Sequence, residues 1–140
     1  MNNDIKRIIC DAMQKPLPVY SHAVAYNGLL HISAVQGFVP GTFDFPSKAS
    51  EQAEIIMQNV AKLLQLGDSD FDRIIKMNIF FVDMDNDFQD VNHVVNQYIP
   101  QDSPARSSLQ VSALPRGAAV VMDFIAAIKA VGTSCSAKPE

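Results

Sequence analysis

Two hydrophobic periods alternate along the chain. Ser21–Tyr26 and Leu29–Ser33 are strand-like runs separated by Asn27-Gly28. Asn-Gly is the strongest short hairpin signal, because both residues tolerate positive φ. Phe38–Ser47, with Pro40, Gly41 and Pro46, reads as a loop. Beyond it, Ala53, Ile56, Met57, Val60, Ala61 and Leu64 recur at three- and four-residue steps. That spacing predicts a helix with one apolar stripe, capped by Ser47 or Ser50 and stopped by Gly67. Arg73–Val82 is β-branched and aromatic and predicts a strand. A second helix starts around Asp85–Asp87 and buries Phe88, Val91, Val95 and Tyr98. Arg106–Val111 and Ala118–Ala130 read as the last two strands, joined by a turn around Leu114-Pro115-Arg116-Gly117. Near the start, Ile5, Ile8, Ile9, Ala12 and Met13 fit helical spacing, while Lys6–Cys10 equally fits a short strand. So short a run leaves both readings open.

The predicted order is a possible first strand, then ββαβαββ. Each strand–helix–strand step favours a right-handed parallel crossover, giving an α+β fold: one mixed sheet with both helices on one face. The last strand adds more. Val120, Met122, Phe124, Ala126 and Ile128 form one side of it; Val121, Ile125 and Ala127 form the other, interrupted by Asp123. A strand apolar on both sides is a strand buried on both sides. Two helices cover one face, so the other calls for a partner, and a second copy of the chain is the simplest one. A single domain over residues 1–131 and a polar tail over 132–140 complete the division. Lys15–Val19, with two prolines, reads as an extended connector.

Composition narrows the function classes. The 140 residues suit one domain, with 48% hydrophobic and 19% charged residues, which excludes a wholly disordered chain. The net charge of −4 gives no general attraction to phosphate backbones, so nucleic-acid binding is not expected. Cys10 and Cys135 stand in no CxxC and no histidine lies at metal-ligand spacing from them, which argues against a disulfide scaffold or a zinc site. No run approaches a membrane span, because Asp123 and Lys129 break the longest one. The first ten residues lack a signal-peptide apolar region. A cytoplasmic protein without membrane contact is the expectation.

Candidate chemistry is sparse. His22, His31 and His93 form no metal pair by spacing and read as structural or surface residues. There is no nucleophile elbow, P-loop or dinucleotide fingerprint. Arg106 stands out, because it follows Pro104-Ala105 and opens a strand, where a junction can aim a side chain into a cleft. Its fork suits a carboxylate, although an interface or surface arginine is the plainer reading from spacing alone.

Several segments together carry a resemblance. Pro18-Val19-Tyr20-Ser21-His22-Ala23-Val24, Ile32-Ser33, Gln58-Asn59-Val60, Phe80-Phe81-Val82-Asp83-Met84 with Asp87-Phe88 and Asn92, Pro104-Ala105-Arg106-Ser107, and Leu114-Pro115-Arg116-Gly117-Ala118 occur in that order. The chain resembles the RidA/YjgF family of reactive intermediate deaminases, formerly labelled L-PSP endoribonuclease, from about Lys6 to Ala130. The resemblance implies a chorismate-mutase-like fold with six strands, a homotrimer with clefts between subunits, and a strand at Lys6–Cys10. It implies hydrolysis of 2-imino acids such as 2-iminobutanoate and 2-iminopropanoate to 2-oxo acids and ammonia, with no cofactor and no metal. Arg106 would hold the substrate carboxylate, with Tyr20, Ser33 and Ser108 around it.

The chain also departs from the family pattern. The glutamate that handles water in the family falls at Val121, which cannot accept a proton. Asp123 is the next carboxylate on the same strand face, roughly 6.5–7 Å further along, and is the candidate replacement. The family's Ser-Gly-Gln reads Ser33-Ala34-Val35-Gln36, so Gln36 matches only with a one-residue insertion. A non-catalytic trimer binding small carboxylates is the alternative reading, and RNA cleavage a remote one that the acidic charge disfavours.

Overall fold

The computed structural model describes residues 4–16 and 19–129. The polar tail and part of the Lys15–Val19 connector lie outside them. The elements are β1 (Lys6–Ile8), β2 (Ala23–Tyr26), β3 (Leu29–Gln36), α1 (Ala49–Leu66), β4 (Ile74–Phe81), α2 (Met84–Tyr98), β5 (Ala105–Gln110) and β6 (Val120–Ala127). They form one six-stranded sheet in the order β1-β2-β3-β6-β4-β5. Only β4 and β5 pair in parallel. β6 lies between β3 and β4 and is antiparallel to both, so the first strand–helix–strand step leaves room for the last strand to enter.

Asn27 and Gly28 both take positive φ, 54° and 83°, in the β2–β3 turn, as the Asn-Gly pair predicts. The N-terminal segment is a three-residue strand paired with β2, not a helix. In α1 the stripe Ala53, Ile56, Met57, Val60 and Leu64 is buried as expected, joined by Leu63 and by two polar residues, Gln52 and Asn59. Neither serine caps the helix. Lys48 stands at the N-cap with no side-chain bond, and Gln52 fixes the first turn instead. Its amide donates to the Pro46 carbonyl at 2.9 Å and accepts from the Ala119 N–H at 3.0 Å. Gly67 does follow the last turn, yet its φ is −91°, and it is Asp68 that turns left-handed at φ 57°. A Cβ at 67 would sit 2.6 Å from the Leu30 side chain, so this buried leucine would have to shift to admit one.

α2 begins one residue earlier than the charge pattern suggests. Asp83 is the N-cap, and its carboxylate accepts from the Asn86 N–H. The two helices pack side by side on one sheet face, over Met77, Ile79, Phe81, Val120, Met122, Phe124 and Ala126. Across their seam the Tyr98 hydroxyl donates to the Glu54 carboxylate. Burial, then the bond to Glu54 and its negative charge, push the Tyr98 phenol up to about 12. A folded-state value above the unfolded one means that this contribution is complete below pH 10 and is lost as pH rises through about 12. Tyr98→Phe is therefore expected to cost about 1 kcal/mol at neutral pH, and the gap between the two proteins should close above pH ~10. Urea unfolding at several pH values measures it; a gap that stays constant to high pH would assign the loss to packing.

The opposite sheet face carries no helix. On β6, Val121 is only 4% exposed, while Asp123, Ile125 and Ala127 are half-buried. Around them lie Phe80, the exposed His31, Tyr26 at 43% and Leu109 at 51% exposure. Phe80 belongs to this open face, and Met77 and Met122 to the covered one.

Candidate active site

Arg106 enters its position through strand register. In the parallel β4–β5 pair it stands beside Met77, and Ser108 beside Ile79, so both side chains leave β5 on the helix-covered face. There they meet α2. Arg106 Nη1 donates to Asn92 Oδ1 at 2.5 Å and Nε donates to Ser108 Oγ at 3.0 Å. The guanidinium lies 5.6 Å from the centre of the Phe88 ring. Phe88 and Asn92 are four residues apart on α2 and therefore stack on one helix face. A recess of about 170 Å³, lined by Met77, Val95, Asn96, Ile99, Pro104 and Arg106, opens alongside.

Two bonds and one ring hold the fork, but Nη2 is buried and has no hydrogen-bond partner. Burial pushes the Arg106 pKa below its usual value, with no neighbouring carboxylate to offset it. An arginine remains charged under such a shift. A desolvated cation with one unpaired donor is costly for the fold alone, and is relieved by an anion that accepts from the free edge.

Tyr20 and Ser33 meet elsewhere. They line a cavity of about 30 Å³ with Gln14, Gln36, Phe38 and Phe43 among its other walls. Ser33 Oγ donates to the Ser21 carbonyl at 2.6 Å. His22 is buried and structural, as its spacing suggests: Nδ1 accepts from the Cys10 N–H at 2.9 Å and Nε2 donates to the Gln14 carbonyl at 2.8 Å. Phe43, over which Arg116 stacks at 4.6 Å, forms the outer wall. Among the described residues no group of three or more His, Cys, Asp or Glu could hold a metal.

The structure thus brings together Tyr20 with Ser33, and Arg106 with Ser108, but not the two pairs with each other. β3 and β5 are separated by β6 and β4, three strand spacings or roughly 14 Å. Asp123 joins neither group. It accepts from Asn78 Nδ2 at 2.8 Å on the open face, whereas Arg106 projects from the other face. Asn92, which the resemblance carries but spacing alone did not single out, is a supporting residue, with Phe88 beside it from the helix face expected to be buried. Their signal is a polar residue four positions after an aromatic on the buried side of a helix.

The family model described as Endoribonuclease L-PSP matches residues 11–128. The chain is 33% identical over 129 residues to the 2-iminobutanoate/2-iminopropanoate deaminase of Bos taurus, covering 90% of this chain and 93% of that protein. It is 33% identical over 129 residues to the chloroplastic Reactive Intermediate Deaminase A of Arabidopsis thaliana, covering 90% of this chain and 68% of that one. The crystal structure of the Rid-family protein YyfA from Yersinia pestis superposes with a TM-score of 0.84 at 29% identity, covering 89% of this chain and 100% of that one. No helix among the described residues is long and apolar enough to cross a membrane. The match spans both candidate half-sites and all strands but the first, and the chain belongs to the RidA/YjgF (L-PSP) family.

Proposed function

We propose that this chain is an imine deaminase, hydrolysing 2-imino acids and their enamine tautomers to 2-oxo acids and ammonia in clefts between the copies of a homotrimer. The observation that carries the proposal is the buried, partnerless Nη2 of Arg106, framed by Asn92, Ser108 and Phe88. The substrate carboxylate takes the free edge of that fork, and Ser108 holds the guanidinium at the angle the carboxylate needs. Because Tyr20 and Ser33 lie three strands from Arg106 within one chain, a complete site takes Arg106 from one copy and Tyr20 and Ser33 from the next. The open sheet face supplies the surface on which copies meet. Tyr20 contributes its hydroxyl beside the imine, and Asp123 is the carboxylate closest along β6 to Val121. The relatives named as imine deaminases support this reading.

A second reading is favoured by one observation. Among the described residues, no carboxylate lines the cavity that holds Tyr20 and Ser33. A trimer that binds small carboxylates without turning them over would have this lining. The experiment generates 2-iminopropanoate in situ with an amino-acid oxidase and lets hydrolysis compete with semicarbazide trapping. Loss of semicarbazone in proportion to added protein is expected. No loss, together with thermal stabilisation by pyruvate, would replace the enzyme by the binding protein.

A further inference from the structure

Imine hydrolysis needs a water held against the C=N carbon by a group within hydrogen-bond reach. The polar lining of the Tyr20–Ser33 cavity consists of amides, hydroxyls, the His22 imidazole and the Lys15 ammonium. Several of these groups already carry hydrogen bonds. Both His22 nitrogens bond to backbone, and Gln14 Nε2 spans the Val39 and Thr42 carbonyls. Ser33 donates to Ser21, and Asn59 Oδ1 faces the Lys62 ammonium.

Gln36 is set differently. The β3–β6 register pairs Ile32 with Phe124, but Val35 with Met122 and Gln36 with Val121. Ser33-Ala34 is thus a β-bulge, with one more residue on β3 than on β6. Without the extra residue Val35 would face Val121, and Gln36 would point into the core under the helices. The bulge exchanges them: Val35 is buried at 3% exposure, and Gln36 stands half-buried opposite Val121 and lines the cavity. Side chains directly opposite each other have Cβ atoms about 5 Å apart, so the Gln36 carboxamide can lie over the Val121 methyl groups.

We propose that Gln36 orients the attacking water in this chain; the inference rests on the imine-deaminase reading and deepens it. The amide oxygen accepts one O–H of the water and aims its lone pair at C2 of the imino acid. The water oxygen bonds to C2 as the C=N π pair moves to nitrogen, and a water proton ends on that nitrogen. The resulting 2-amino-2-hydroxy acid then breaks its C–N bond. Its hydroxyl proton passes to the departing nitrogen, leaving a 2-oxo acid and ammonia. Gln36 neither gains nor loses a proton at any point, because a carboxamide offers hydrogen bonds but no titration in this range. The substrate and solvent carry the protons that a carboxylate would otherwise shuttle.

The test compares wild type, Gln36→Met and Gln36→Glu in the semicarbazide-competition assay across pH. Gln36→Met keeps the length and removes the amide. It is expected to lower kcat about thirtyfold with KM within about threefold, the signature of a group acting on the reacting water and not on binding. Gln36→Glu is expected to add an acid limb below pH ~5 in its ratio to wild type, from which substrate ionisation cancels. Pyruvate should stabilise all three proteins against heat, which separates a lost water position from a lost fold or lost ligand site. An unchanged kcat in Gln36→Met overturns the assignment and leaves the deaminase reading standing. So does an acid limb in wild type that disappears in Asp123→Asn, which gives the water to Asp123. A wild type with no turnover at all overturns both.

Discussion

Arg106→Ala is expected to lower kcat/KM for a 2-imino acid by about a hundred- to a thousandfold. A carboxylate on the free edge of the fork makes charge-assisted bonds, and losing two of them costs about 3–4 kcal/mol, with 1.4 kcal/mol per tenfold. The fold should not suffer in proportion. Arg106 holds Asn92 and Ser108 but leaves one buried donor unpaired, so removing the charge also removes a desolvation cost. The thermal midpoint of the variant should stay close to that of wild type, while its stabilisation by pyruvate disappears. Arg106→Lys keeps the charge without the planar fork and should fall between the two. Activity within threefold of wild type in Arg106→Ala would remove this residue from the carboxylate role.

The largest effect on folding is expected at Gly37. A Cβ there would lie 2.3 Å from the Gln52 carbonyl oxygen, 2.7 Å from its Cα and 2.8 Å from its carbonyl carbon. All three are backbone atoms of the first turn of α1, so no side-chain rotation can make room. That turn also carries the Gln52 bridge between the Pro46 carbonyl and the Ala119 N–H. Pushing it outward breaks a buried amide's partners as well as opening the seam between β3 and α1. Gly37→Ala should therefore cost about 3 kcal/mol or more, a fall in thermal midpoint of roughly 10 °C for a domain of this size. Gly28→Ala is the control. Its φ is +83° and nothing lies within 4 Å of the added methyl, so the cost should be about 1 kcal/mol of backbone strain. Similar losses at the two positions in thermal unfolding would show that steric overlap is not what demands glycine at 37.

The features legible in the sequence are those fixed locally or by period. Asn27-Gly28 predicts its hairpin because the turn needs positive φ at both positions. The α1 stripe and the apolar sides of the last strand follow from periods of 3.6 and 2. The features that were not legible depend on what lies opposite. Lys6–Ile8 is too short to show a period; the resemblance implies its strand, and the pairing with β2 is what makes it one. The Ser33-Ala34 bulge exists only relative to β6, so the alternation of β3 alone cannot place it. Gln52 and Asn59 interrupt the apolar stripe of α1 and are buried all the same, because each meets a partner from elsewhere in the chain or along the helix. Arg106 is visible as a charge at a loop–strand junction. That one of its nitrogens is left over becomes apparent only once α2 has brought Asn92 and Phe88 beside it.

The distance between Ser33 on β3 and Arg106 on β5 ties chemistry to quantity. On the proposed reading a cleft exists only while two copies stay together, and a metabolite bound in it touches both. Its binding free energy then adds to their association, and the coupling is reciprocal: the metabolite tightens assembly by the same factor by which assembly tightens the metabolite. Scarcity of the protein and scarcity of its substrate would act on one shared equilibrium, in which a rise in either favours the assembled, liganded form.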